Sequence, residues 1–196
     1  MATITFPSEP AAQSMSWRLV QPSQTNISSW TGARQTLAFN RGWWECDYAL
    51  PPIVGTLNIL AWRSFIAKAQ GSANDFQVPV DPVAQTAISS TVLTNGVNQT
   101  GRSIATDGWP ATTAVLLAGQ FVTINNQLLQ VRDNVISNSS GQATIQVEPP
   151  VRQPVADNTA VEYRNPYCLM YITEMPSLSV EAGYVYNVSF SLRESF

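Results

Sequence analysis

Acid–base and nucleophilic chemistry near neutral pH most often recruits histidine, and this sequence of 196 residues contains none. Its absence removes Ser-His-Asp and Cys-His schemes and every His-ligated metal site at once. Carboxylates, thiols and glycine-rich turns remain. Glu45 and Asp47 stand two apart in a strand-like run and project from one face, as the acids of a carboxylate-pair glycosidase would. Paired outward carboxylates on a strand are also ordinary solvated surface, and catalysis is not expected from them. Cys46 and Cys168 lie far apart without metal-ligand spacing, so neither zinc nor an iron–sulfur cluster is expected. Each sits beside aromatics, where a free cysteine packs as a small hydrophobe, and a bridge between the two is left open. Gly101-Arg102-Ser103 lacks the lysine and the strand-to-helix setting of a phosphate loop. The chain is therefore expected to have no catalytic residue, no cofactor and no metal.

Recognition chemistry is better represented. Six Trp and six Tyr can stack on sugars or anchor protein contacts. A carbohydrate-binding β-sandwich module is thus the alternative to an assembly role. A formal charge of -3 with 12% charged residues leaves no basic surface for gripping phosphates, so no specific nucleic-acid binding is expected. The many Ser, Thr, Asn and Gln suit a surface covered by other subunits, and equally an ordinary weakly acidic globular protein. No apolar stretch is long enough to span a membrane, and MATITFPSEPAAQ has no leader pattern, so a soluble chain made in a cytoplasm is expected.

These side chains are positioned mainly by strands. Residues 3–6 and 16–19 are short β candidates, and 34–39 with 43–48 reads as a hairpin around Asn40-Arg41-Gly42. In the second arm Trp44, Cys46 and Tyr48 form one row, opposite Trp43, Glu45 and Asp47. After Pro51-Pro52 the period changes, predicting one helix over residues 53–70 with Gly71 as its left-handed stop. Ile53, Leu57 and Leu60 fall on one side of it, and Trp62, Phe65, Ile66 and Ala69 on the other. Two apolar faces require two covers, within the chain or from a neighbouring subunit. From about Asp81 to Asn165 the texture becomes Thr, Asn, Gln, Gly and Val with short alternations. Hairpin strands at 121–124 and 128–131 flank Asn125-Asn126, and a strand at 143–147 follows the turn 138–141. The row Tyr184, Tyr186, Val188, Phe190 and Leu192 marks a long strand that belongs in a sheet with the N-terminal strands. The expected architecture is mainly β. A β-sandwich domain from residues 1–80 and 166–196 carries the helix, and residues 81–165 form an inserted small all-β domain.

The arrangement resembles minor tail proteins of long-tailed bacteriophages, specifically those of the distal-tail type. The resemblance is carried by GWWECDYALPP, by LNILAWRSFIAKAQG and by VLLAGQFVTINNQLLQVRDNVISNSSGQATIQVEPPVR. In the last run the pattern falls on Leu117, Gly119, Gly141, Ala143, Ile145, Val147, Pro149, Val151 and Arg152. The resemblance implies a tail-tube-like sandwich that forms a ring, six-membered in the distal-tail type, at the distal tail or baseplate. Such a ring joins the tail tube protein to the tip, hub or receptor-binding apparatus around a channel through which DNA passes. It also implies a virion location after synthesis in the bacterial host cytoplasm. Candidate contact residues for neighbouring copies or other minor tail proteins are Trp30, Trp43, Trp62, Phe65, Ile66 and Trp109, each of which also suits a core position.

Overall fold

Period-two alternation becomes paired strands along most of the chain, and the computed structural model describes residues 2–196. Among these the fold is mainly β with one helix. The first part lays down β1 (Thr3–Ile4), β2 (Ser14–Val20), β3 (Ser23–Ile27), β4 (Arg34–Ala38), β5 (Trp43–Ala49), β6 (Ile53–Val54), α1 (Leu60–Ala69) and β7 (Asp75–Pro79). The middle holds β8 (Leu93–Thr94), β9 (Gln99–Asp107), β10 (Ala114–Leu116), β11 (Phe121–Ile124), β12 (Gln127–Val131), β13 (Val135–Ile136), β14 (Ala143–Val155) and β15 (Val161–Glu162). Then come β16 (Tyr167–Glu174), β17 (Ser179–Glu181), β18 (Val185–Asn187) and β19 (Ser189–Glu194).

One six-stranded sheet draws on both ends of the chain, in the order β1-β7-β16-β19-β5-β2. Its inner face carries Trp44, Cys46, Tyr48, Phe76, Val78, Met170, Ile172, Phe190 and Leu192, all buried. Helix α1 covers that face with Trp62, Phe65, Ile66 and Ala69. Phe6 wedges between helix and sheet, edge-on to Tyr48, Trp62 and Phe65 and stacked on Phe76 at 5.4 Å. Edge-to-face packing of this kind suits the ring quadrupoles and adds to the area buried. Cys46 and Cys168 are both free and buried in this core, on strands separated by β19. Loss of hydration pushes the Cys46 thiol up to about 12 and the Cys168 thiol upward as well.

The second six-stranded sheet runs β15-β11-β12-β14-β9-β8, and its two ends meet. Leu93 bridges Ala160, Val161 N donates to Val92 O at 3.0 Å, and Thr94 N to Thr159 O at 2.9 Å, which closes the sheet into a small barrel. The sheet is nearly closed, and its two-residue end strands β8 and β15 leave little open edge. Ile104, Val122, Ile124, Leu129, Val131, Ile145 and Val147 fill the interior, and the β10–β13 pair caps it with Val115 and Val135. The β11–β12 hairpin turns on Asn125 and Asn126, at φ 49° and 62°, the two left-handed residues of a tight two-residue turn. Gly141 has φ 72°, and a Cβ there would lie 2.4 Å from Trp109 O. The barrel abuts the first sheet through β12, since Leu128 joins the first core while Leu129 joins the second.

Three local expectations are corrected. Strand β4 pairs with β3 and not with β5, which pairs with β2 and β19. The turn lies at residues 28–33, where the Ser28 hydroxyl accepts from Trp30 N and Thr31 N and Gly32 takes φ 68°. The helix spans Leu60–Ala69 and not 53–70. Ile53 pairs with Tyr186 in the small β17-β18-β6 sheet, and Gly55, at φ 96°, breaks the path to the helix. Gln70, at φ 50°, takes the left-handed cap position one residue before Gly71. With Ile53 in a strand and Leu57 and Leu60 exposed, the helix has a single buried face. The C-terminal row is also divided. Tyr186 lies in the small sheet, Phe190 and Leu192 lie in the large one, and Tyr184 is exposed in a turn.

A projecting arm as candidate assembly surface

Strands β3 and β4 form a two-stranded hairpin that belongs to no other sheet. Every residue from Ser23 to Arg41 is exposed, so neither face of the hairpin rests on the body. Isolated two-stranded hairpins are marginal in water. This one draws local support from its ladder, from the Thr25–Thr36 hydroxyl contact and from the serine-capped turn, where Ser28 N donates to Ala33 O at 2.9 Å. Ile27, Leu37 and Phe39 are exposed along it, and Trp30 at its tip is 95% exposed. A tryptophan in water at a loop tip contributes nothing to its own fold, yet large aromatics are the residues that anchor interfaces.

The arm is free along its length and held at its root. Phe39 N donates to Pro22 O at 3.1 Å, bringing the two ends of the hairpin together. Arg102 of β9 donates Nε to Glu148 Oε2 at 2.7 Å and Nη1 to Asn40 Oδ1, while Gln21 Nε2 donates to Glu148 Oε1 at 2.7 Å. The Arg102 guanidinium is held above its ordinary value by that carboxylate. Beneath this lies a deeper clamp. Glu194, fully buried, accepts from Trp44 N at 3.0 Å, from Leu128 N at 3.3 Å and from both terminal nitrogens of Arg152. Arg152 also donates to Gly42 O at 2.9 Å. Gly42 has no room for a side chain, as a Cβ would stand 3.0 Å from Pro149 Cβ and 3.2 Å from Val20 O. The barrel thus grips both ends of the hairpin and sets its direction.

The neighbouring strand β2 ends the large sheet, so seven residues of backbone lie along an edge with no strand beyond them. Exposed edges of this length are templates for pairing with another chain. On the outward face Arg18 pairs with Glu45, which also accepts from Trp43 Nε1 at 3.1 Å; the arginine holds the Glu45 carboxyl below its usual range. Asp47 accepts from the Ser191 hydroxyl at 3.1 Å. The two carboxylates singled out in the sequence are thus engaged with a cation and hydrogen-bond donors at the surface.

The six aromatic and apolar candidates separate clearly. Trp30 is exposed on the arm, and Trp43 is half-buried with Arg193 over its ring at 4.4 Å. Trp62, Phe65 and Ile66 are corrected from contact candidates to core residues, because α1 turns them onto the large sheet. Trp109 is likewise core, tilted against Tyr163 with its indole N–H on the Thr106 hydroxyl at 2.8 Å. Four of the six therefore have no surface to offer a partner. Of the arm only Trp30 stood among the candidates, although a polar run with one charge, Arg34, broken by isolated Ile27, Trp30 and Leu37, marks the whole segment.

No protein-family model matches this chain, and no curated protein matches it.

Proposed function

We propose that this chain is a structural subunit of a phage tail that associates with copies of itself into a ring at the distal tail or baseplate. The observation that supports assembly is the arm: a root-clamped hairpin, exposed on both faces, beside an open seven-residue sheet edge. An arm on one copy laid against an edge on the next is a head-to-tail contact, and such contacts close into rings when the rotation between copies is a whole fraction of a turn. The place of this ring in a virion rests on the resemblance of the GWWECDYALPP, LNILAWRSFIAKAQG and barrel segments to distal-tail-type proteins. In that setting the ring surrounds a channel for DNA, meets the tail tube protein on one side and the tip or hub on the other, and performs no chemistry.

Light scattering on the purified chain, with negative-stain images, tests the reading against a variant in which residues 23–38 are replaced by Asn-Gly. The short Pro22–Phe39 connection lets this excision leave the body intact. The expected result is closed rings, most simply of six copies, for the intact chain and folded monomers for the variant. A monomer in both cases, or rings in both, contradicts an arm-built ring.

A further inference from the structure

Strand β5 starts at the arm root and ends at a second unfinished surface. Its first residue, Trp43, pairs with Val20 beside the root, and its last, Ala49, pairs with Ser189 where the chain enters the large sheet from the small one. Six residue steps set these ends about 20 Å apart. Past Ala49 comes the small β17-β18-β6 sheet, in which β18 leads into β19 and β6 follows β5 across Pro51-Pro52. An apolar patch lies uncovered there: Leu57 is 78% exposed and Tyr184 65%, and Val54 and Leu60 are exposed as well. Their backbones are tied together. Gly55 N donates to Tyr184 O at 3.0 Å, Asn58 Nδ2 to Val54 O at 2.8 Å and Leu60 N to Leu57 O at 3.3 Å. Tyr184 holds φ 60°, an unfavourable backbone region for a bulky residue, and does so with its side chain in water. The ladder also sets Glu181, Val185 and Val54 in one row on one face of this sheet.

From this placement we infer that the patch on the small sheet receives the arm tip of a second copy, a reading that rests on the proposed ring and names where its arm lands. Charge selects the occupant. Arg34 is the single charge between residues 23 and 38, and it pairs across the hairpin with Ile27, next to the turn that carries Trp30. The tip therefore offers apolar side chains around one cation, and the patch offers apolar side chains around one anion. Asn187 Nδ2 donates to Glu181 Oε1 at 2.8 Å and orients that carboxylate, which among the described residues has no ion-pair partner. Arg63 stands over the Tyr186 ring at 5.0 Å, and Tyr186 belongs to the other face of the small sheet. Position selects the same occupant. Arm root and patch lie at opposite ends of β5, which is the placement a head-to-tail contact between copies requires. The open edge of β2 runs between those ends, from Val20 opposite Trp43 to Ser14 opposite Ala49. Because β6 follows β5 and β2 is the next strand outward, an arm laid along β2 of the neighbouring copy carries its tip to β6 and the turn that holds Leu57.

Complementary variants of the full chain test it by light scattering. Replacing residues 23–38 by Asn-Gly removes the arm and keeps the patch, while Leu57→Lys keeps the arm and sets a cation in the patch against Arg34. Leu57 is exposed, so its replacement leaves the fold intact. Each variant alone is expected to be a monomer, and an equimolar mixture is expected to give a one-to-one complex. Adding Arg34→Glu to the arm-bearing member should weaken that complex about tenfold, and Glu181→Arg in the armless member should restore it. Rings formed by Leu57→Lys overturn the inference and leave an arm-built ring standing. So does a mixture that stays monomeric although the intact chain forms rings, or a complex indifferent to Arg34→Glu. An intact chain that is itself monomeric contradicts the ring, and the inference falls with it.

Discussion

The barrel and the arm are built from similar material and end in opposite states. Both hold antiparallel strands that carry Thr and Gln at their polar positions, joined by turns that depend on left-handed residues. In the barrel, alternation is strict enough to send Ile104, Ile145 and Val147 inward, and the bridge from Leu93 to Ala160 brings the two end strands together. In the arm, apolar residues are too few and too scattered to define a core face, so Ile27 and Leu37 stay in water. What separates them is whether the side chains of one face can bury one another. A closed unit is finished within one chain, while an open hairpin on a rigid root is stabilised only by what it meets.

Cutting the clamp between the two regions has the largest expected effect. Glu194→Ala leaves Arg152 without its carboxylate and orphans Trp44 N and Leu128 N, and breaking a buried pair of this kind costs about 3–5 kcal/mol. Urea denaturation should show that loss, together with a looser arm root. Next is Ile145→Ala inside the barrel, expected to cost about 2–5 kcal/mol in the same measurement because the closed interior cannot collapse around the gap.

A smaller effect is a pH slope from the core of the large sheet. The Cys46 thiol is raised in the fold to about 12 by burial, so its contribution is fully present below a thiol's ordinary value and is lost as pH rises through the alkaline range towards about 12. Stability measured against pH should fall more steeply there for the wild type than for Cys46→Ala. Smallest on stability is Trp30→Ala, expected within about 0.5 kcal/mol of wild type because the ring touches little of its own chain. Its effect should fall on assembly instead. A large loss of stability for Trp30→Ala would show that the arm packs on its own body and would erase the contrast.

The sequence was legible where a local signal settled the matter. Asn125-Asn126 announced a tight turn, and alternation at Ala143, Ile145 and Val147 announced a half-buried strand. It failed where two local signals competed. Asn40-Arg41-Gly42 looks as good a turn as Ser28-Ser29-Trp30-Thr31-Gly32, and only the long-range pairing of β5 with β2 and β19 decides between them. Ile53 has helical spacing with Leu57 and Leu60, but its partner Tyr186 lies far along the chain and draws it into a sheet. Burial of tryptophan was not legible either, since Trp62 and Trp30 differ in what surrounds them and not in residue type.

On the proposed assembly, the arm is unprotected in a lone chain and becomes protected by a neighbour. Amide hydrogen exchange, followed segment by segment as protein concentration rises, addresses it most directly. The barrel segments around Ile145 and Val147 should be protected at every concentration, whereas residues 23–38 should exchange rapidly in dilute solution and slow as copies associate. Arm amides already slow at the lowest concentration, or still fast in the assembled state, would contradict the account.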